Sequence, residues 1–88
     1  MAWKIELDVR AAKELSQLDN QQSKRILRFL RDRVAALDNP RAIGECLRGE
    51  LGEFWKYRVG DYRLICKIQD HIVTVVVIKI GHRREVYR

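Results

Sequence analysis

Between Ile72 and Ile80 the chain carries Ile72, Val73, Val75, Val76, Val77, Ile78 and Ile80, so any strand formed here is apolar on both faces. The run is far too short to cross a bilayer, which takes about 20 apolar residues in a helix. Its β-branched side chains suit an extended backbone. A strand with two apolar faces has to lie inside a sheet, with other parts of the protein covering both sides. This requirement commits a chain of 88 residues to building its core around its C-terminal third.

The residues ahead of this strand supply neighbours for it. Phe54–Val59 and Tyr62–Gln69 read as strands separated by Gly60-Asp61, and a two-residue turn with glycine first predicts a type II′ hairpin. That turn sets the register: Val59 faces Tyr62, Arg58 faces Arg63, Tyr57 faces Leu64 and Lys56 faces Ile65. Alternation then separates two surfaces. Trp55, Tyr57, Val59, Tyr62, Leu64 and Cys66 suit the core, while Lys56, Arg58, Arg63 and Lys67, with Ile65 among them, share the other face. Asp70-His71 is expected to turn the chain tightly into the apolar strand, with His71 at an inert tip.

The N-terminal half reads as one strand and two helices. Trp3–Leu7 alternates, Asp8 is a suitable N-cap, and Ala11, Leu15 and Leu18 recur at helical spacing in a helix ending near Asp19-Asn20. A second helix is predicted over Gln21–Leu37, with an apolar stripe of Ile26, Leu30, Val34 and Leu37 widened by Leu27 and Phe29. Lys24, Arg28 and Arg31 fall on the opposite side, where they form a solvated helix face or, alternatively, a secondary contact with RNA phosphates. Arg33 projects beside the stripe, where it snorkels or pairs with a carboxylate. Asn39-Pro40 stops the helix, and residues 41–53 read as a helical turn and a loop broken by Gly44, Gly49 and Gly52. The expected architecture is α+β: a single domain over residues 1–88, in the order β-α-α-β-β-β. Its sheet is a twisted, mainly antiparallel four-stranded one with both helices on one face.

Charge is distributed unevenly over this plan. The net charge of +6 is concentrated in residues 54–88, where eight Lys and Arg meet three acids. Such a surface suits a polyanion. Like charges directly opposite each other destabilise a strand pair, so Arg58 facing Arg63 marks a place where function overrides local stability. The hairpin face is expected to hold its cations with no carboxylate among their neighbours. A phosphodiester would relieve their repulsion, because guanidinium forks match phosphate oxygens bidentately. The strand leaves its far end as Gly81-His82-Arg83-Arg84, close to Arg63, with Tyr87 four residues beyond Arg83. Cations nearby lower a phenol's pKa, which gives Tyr87 a route to general-base chemistry, and base stacking is its other role.

The sequence shows no paired histidines, metal-ligand cluster, P-loop or nucleophile elbow, so no metal or cofactor is expected. Cys46 and Cys66 lack metal spacing, and Cys66 reads as a reduced, buried thiol. No apolar signal segment follows Met1, so a cytoplasmic protein without a membrane partner is expected.

Leu47-Arg48-Gly49, Trp55–Leu64 and Ile80-Gly81-His82-Arg83-Arg84-Glu85-Val86-Tyr87 together resemble the RelE toxin family, within the RelE/ParE superfamily of type II toxin–antitoxin systems. The resemblance implies a RelE-like, microbial-RNase-like fold. It also implies a metal-independent endoribonuclease that cuts messenger RNA in the ribosomal A site by attack of the 2′-hydroxyl. By position, Lys56 matches an active-site lysine, Arg63 the phosphate-holding arginine, Arg83 the arginine serving the leaving oxygen, and Tyr87 the tyrosine that activates the 2′-hydroxyl or positions the base. Arg58 stands where other members have a second lysine, and an arginine does not give up its proton. Lys56 or His82 would then carry any proton moved there. Lys67, His82 and Arg84 are the expected supporting substrate contacts. The implied partners are a RelB-like antitoxin, the ribosome with its message and 16S rRNA, and operator DNA through the antitoxin complex that represses the operon. The wider superfamily offers a second reading, a ParE-like toxin that inhibits DNA gyrase without cutting RNA.

Overall fold

The computed structural model describes residues 3–47 and 54–82. Strand β1 (Lys4–Leu7) leads into helix α1 (Val9–Ser16) and helix α2 (Asn20–Phe29). After β2 (Glu45–Cys46) come β3 (Trp55–Val59), β4 (Tyr62–Gln69) and β5 (Thr74–His82). The sheet order is β1-β5-β4-β3-β2, with β1 parallel to β5 and the other pairs antiparallel. The sheet therefore has five strands where four were expected. The additional one is a two-residue edge that no periodic pattern is long enough to announce. Among the described residues, no helix is long and apolar enough to cross a membrane.

Both helices start on carboxylate caps. Asp8 accepts from the Ala11 amide and Asp19 from the Gln22 amide, each at 2.9 Å. The second helix runs on through a π-helical turn, Leu30–Val34, in which the Ala35 amide donates to the Leu30 carbonyl at 2.9 Å. Ile26, Leu30 and Val34 stay fully buried through this change and pack with Ala11 and Leu15 against Tyr57, Val59, Leu64, Cys66, Val75, Val77 and Ile80. Leu27, expected to widen the stripe, is instead 43% exposed.

The hairpin register is the expected one: Arg58 pairs with Arg63, and Val59 with Tyr62. Gly60 has φ +59°, and Asp61 is not among the residues with positive φ, which fits type II′ rather than type I′. The apolar strand is interior, as its composition requires, but it begins at Thr74 and not at Ile72. Asp70–Ile72 forms a 3-10 turn in place of the expected tight turn, closed by Val73 at φ +49°. Arg41 clamps this turn, donating to both carboxylate oxygens of Asp70 at 2.9 and 3.0 Å. Gly49 and Gly52, read above as loop breakers, lie outside the described residues.

Candidate functional site

The strand that would continue β3 toward the sheet edge is only two residues long, and glycine is what allows it to approach. Gly44 has φ +84°, and a Cβ there would stand 2.5 Å from the Lys56 carbonyl oxygen and 2.6 Å from Trp55 Nε1. The close approach sets Glu45 opposite Lys56. Behind this edge, Tyr57 donates to the Pro40 carbonyl and Trp55 Nε1 to the Ile43 carbonyl, which fixes the loop against the sheet. Burial pushes the Tyr57 phenol above its ordinary pKa, so it stays a neutral structural group.

These contacts outline a cleft of about 340 Å³ whose lining includes Arg33, Glu45, Lys56, Arg58 and Arg63, with Phe29 and Tyr57 as its aromatic wall. Three cations expected on one hairpin face thus share one cavity. Arg63 is only 9% exposed. Its Nη1 makes a long 3.5 Å contact to the Tyr62 carbonyl, and no carboxylate of the described residues pairs with it. Arg58 is exposed, and its Nε reaches the Gly60 carbonyl at 3.4 Å. Burying a charge without a counter-ion is costly. The cost falls here at a position directly facing another cation.

Two expectations are corrected. The hairpin face does have a carboxylate neighbour, because Lys56 Nζ lies 3.4 Å from Glu45 Oε2. That carboxylate comes from the short edge strand, which hairpin periodicity does not show. Of the two roles expected of Arg33, pairing with an acid of the described residues is not seen; the side chain is exposed and lines the cleft. Its signal in the sequence is its position four residues after Phe29, on the same helical side.

Of the remaining candidates, the described ones, Lys67 and His82, lie outside this cleft. Lys67 shares the Arg63 face but sits about 13 Å further along β4 and outside the cleft lining. His82 pairs with Tyr62, and their rings meet edge-on at 5.9 Å. Since Tyr62 faces the helices, His82 is on the opposite side of the sheet from Arg63, where it helps line a separate cleft with Glu14 and Ile80. Arg83, Arg84 and Tyr87 lie outside the described residues.

Fold and cleft define a small basic α+β domain with a cavity at its hairpin edge whose charged lining is mainly cationic. The chain belongs to the family described as the ParE toxin of type II toxin–antitoxin system, parDE, which it matches over residues 5–87. Toxin RelE of Mycobacterium tuberculosis is 29% identical over 86 residues, covering 98% of this chain and 87% of that one. Toxin RelG of the same organism is 41% identical over 49 residues, so that this chain spans about half of RelG (56%) in the match. The toxin in the toxin–antitoxin complex RelBE2 from M. tuberculosis superposes with a TM-score of 0.86 at 26% identity, covering 97% of this chain and 95% of that one. The isolated E. coli RelE toxin gives 0.72 at 28% identity, covering 98% and 92%. The chain is a RelE-like toxin in fold and sequence.

Proposed function

We propose that this toxin is a ribosome-dependent endoribonuclease acting as one domain, and that the Lys56–Arg58–Arg63 cleft holds the scissile phosphate of a messenger RNA in the ribosomal A site. The observation that carries this reading is Arg63, nearly buried and without an acidic partner among the described residues, directly opposite Arg58. A phosphate between the two guanidinium groups replaces their repulsion by charge-assisted hydrogen bonds. The same hydrogen bonds strengthen as charge builds on the phosphoryl oxygens in the transition state.

In the reaction, the 2′-hydroxyl gives its proton to a base and its oxygen bonds to phosphorus. The bond from phosphorus to the 5′-oxygen breaks, and that oxygen takes up a proton. The products are a 2′,3′-cyclic phosphate and a 5′-hydroxyl. Resemblance assigns the base to Tyr87 and the leaving oxygen to Arg83. Arg58 stabilises charge but does not exchange protons. Lys56 is then the ammonium in the cleft that can donate one. A site without a matched acid–base pair relies on alignment, and a message held by ribosomal RNA arrives aligned.

The RelE–RelB complexes among the solved relatives support a cognate antitoxin as partner, with acidic segments suited to covering this cleft. Operon repression then runs through the complex with operator DNA. The ribosome as target places the protein in the cytoplasm.

The test is translation of a defined message in vitro with purified protein, followed by primer extension. Cuts inside A-site codons are expected, lost in Arg63→Ala, Arg83→Ala and Tyr87→Phe. An intact message with wild-type protein would overturn the reading, and blocked gyrase supercoiling in its place would favour the gyrase alternative. The relative matching nearly the whole chain is a toxin named RelE, which favours the ribonuclease reading.

A further inference from the structure

The cationic cleft does not end at the hairpin. A second depression of about 370 Å³ shares Phe29, Arg33 and Arg58 with it, so the two form one trough. The new part adds Arg25, Arg28, Asp32 and Gly60. Arg25, Arg28 and Phe29 share one face of α2 by their i, i+3, i+4 spacing, and Asp32 and Arg33 of the π turn join them in the lining of this depression. That face lies beside the buried stripe of Ile26, Leu30 and Val34, at the seam between helix and hairpin.

Two guanidinium groups from different elements meet at the hairpin turn. A Cβ on Gly60 would stand 2.9 Å from Arg25 Nη1, so the Arg25 head group lies over the turn, while Arg58 Nε reaches the Gly60 carbonyl at 3.4 Å. Arg25, Arg28 and Arg33 make no ion pair with acids of the described residues. Asp32, the acid within this part of the trough, is paired with Arg31 at 3.1 Å. A merely solvated helix face has no reason to aim its cations into a shared depression with Arg58. Lys24 and Lys13, which line neither cleft, are the ordinary solvated cations of this helical layer.

We propose that Arg25, Arg28 and Arg33 form a second phosphate-binding site, which holds the RNA backbone next to the phosphate in the hairpin cleft. The proposal rests on the ribonuclease reading and extends it. From Arg25 to Arg33 the helix rises about 12 Å, enough for more than one phosphate of a single strand. Phe29 lies between the two groups of cations, and the alternation of aromatic and cation suits a nucleotide chain. These arginines are positioning residues. They touch the backbone away from the bond that breaks, so they act on binding more than on the chemical step.

The test uses Arg25→Gln/Arg33→Gln, with Lys24→Gln as control and Arg25→Lys/Arg33→Lys as the charge-retaining variant. All three positions are exposed, so the fold is expected to persist. Binding to a single-stranded oligoribonucleotide blocked by 2′-O-methyl groups is measured over a salt series. This readout needs no cleavage, so it is independent of whether the ribonuclease reading holds. The double Gln variant should bind about tenfold more weakly or worse, with a salt slope shallower by about 0.7 per arginine, the single-strand value. The Lys pair should keep most of the slope, and K24Q should behave as wild type. In ribosome-dependent cleavage the double variant should raise KM about tenfold with kcat unchanged.

Pelleting with ribosomes lacking message separates the two RNA sources. Weakened binding to the oligoribonucleotide assigns the site to the message. Weakened binding to vacant ribosomes alone assigns it to ribosomal RNA phosphates. Unchanged affinity and salt slope in both assays would overturn the proposal. So would unchanged RNA binding accompanied by weaker capture of an acidic peptide, which would make the trough a protein-docking surface.

Discussion

Replacing Arg63 by methionine should make the protein more stable and strongly weaken the proposed RNA cleavage. The register places Arg58 and Arg63 opposite each other, with Cβ atoms about 5 Å apart. Two unit charges about 6 Å apart at an effective dielectric of about 20 repel by about 3 kcal/mol. Arg58 is exposed, so solvent and salt cut this to about 1 kcal/mol. Desolvation of the nearly buried Arg63 adds a further cost that its single long bond to Tyr62 does not offset. Methionine keeps the aliphatic volume and removes the charge. A gain of about 1–2 kcal/mol follows, and each kcal/mol is worth about 4–8 °C in Tm for a domain of this size. Cleavage should fall about 10²–10³-fold, the usual cost of removing one donor from a transition-state oxyanion. Thermal unfolding without RNA, beside primer-extension cleavage, reads both effects. Raised phosphate should also raise the wild-type Tm by linkage and leave that of Arg63→Met unmoved. Lower stability of Arg63→Met would refute the reasoning, because it would mean that native contacts already satisfy this guanidinium without a ligand.

Four further outcomes are expected. Gly44→Ala should cost about 1–3 kcal/mol in urea unfolding and disturb the Glu45–Lys56 pair, since its φ of +84° and the 2.5 Å approach to the Lys56 carbonyl oxygen exclude a side chain. Val73→Asn should stabilise by about 1 kcal/mol in the same assay, because a β-branched residue sits at φ +49° where asparagine is tolerated. The Arg41 bridge holds the Asp70 carboxyl below its ordinary pKa. A depressed carboxyl stabilises above the unfolded value, about 3.9, and loses that contribution as pH falls through the folded value. The stability difference between wild type and Asp70→Asn should therefore be full at neutral pH and vanish in strong acid. Cys66, fully buried and with its thiol pKa raised by burial, should react with a thiol reagent only on unfolding, while exposed Cys46 reacts in the native state.

Much of the cleft was legible in the hairpin alone. A two-residue turn beginning with glycine sets a register, and a register decides which side chains share a face, so Lys56, Arg58 and Arg63 could be grouped from their spacing. His82 shows where this reasoning runs out. Its place next to Arg83 suggested the cationic face, yet strand alternation from its Tyr62 partner puts its ring on the helix side. Glu45 and Arg33 escaped for a different reason. The first sits in a strand too short to have a period, and the second belongs to a helix whose contact with the hairpin is a tertiary matter.

Order and type of the longer elements, the Asp8 cap, the hairpin register and the excess of positive charge toward the C-terminus follow from local rules of backbone sterics, hydrogen-bond capping and side-chain alternation. Each depends on residues a few positions apart. What only the folded chain decided is how elements distant in sequence come together: β1 parallel to β5, the Glu45 edge beside Lys56, and Arg25 of α2 over Gly60. Those juxtapositions arise from burying Ile26, Leu30 and Val34 against one face of the sheet, a packing constraint that no single segment carries by itself.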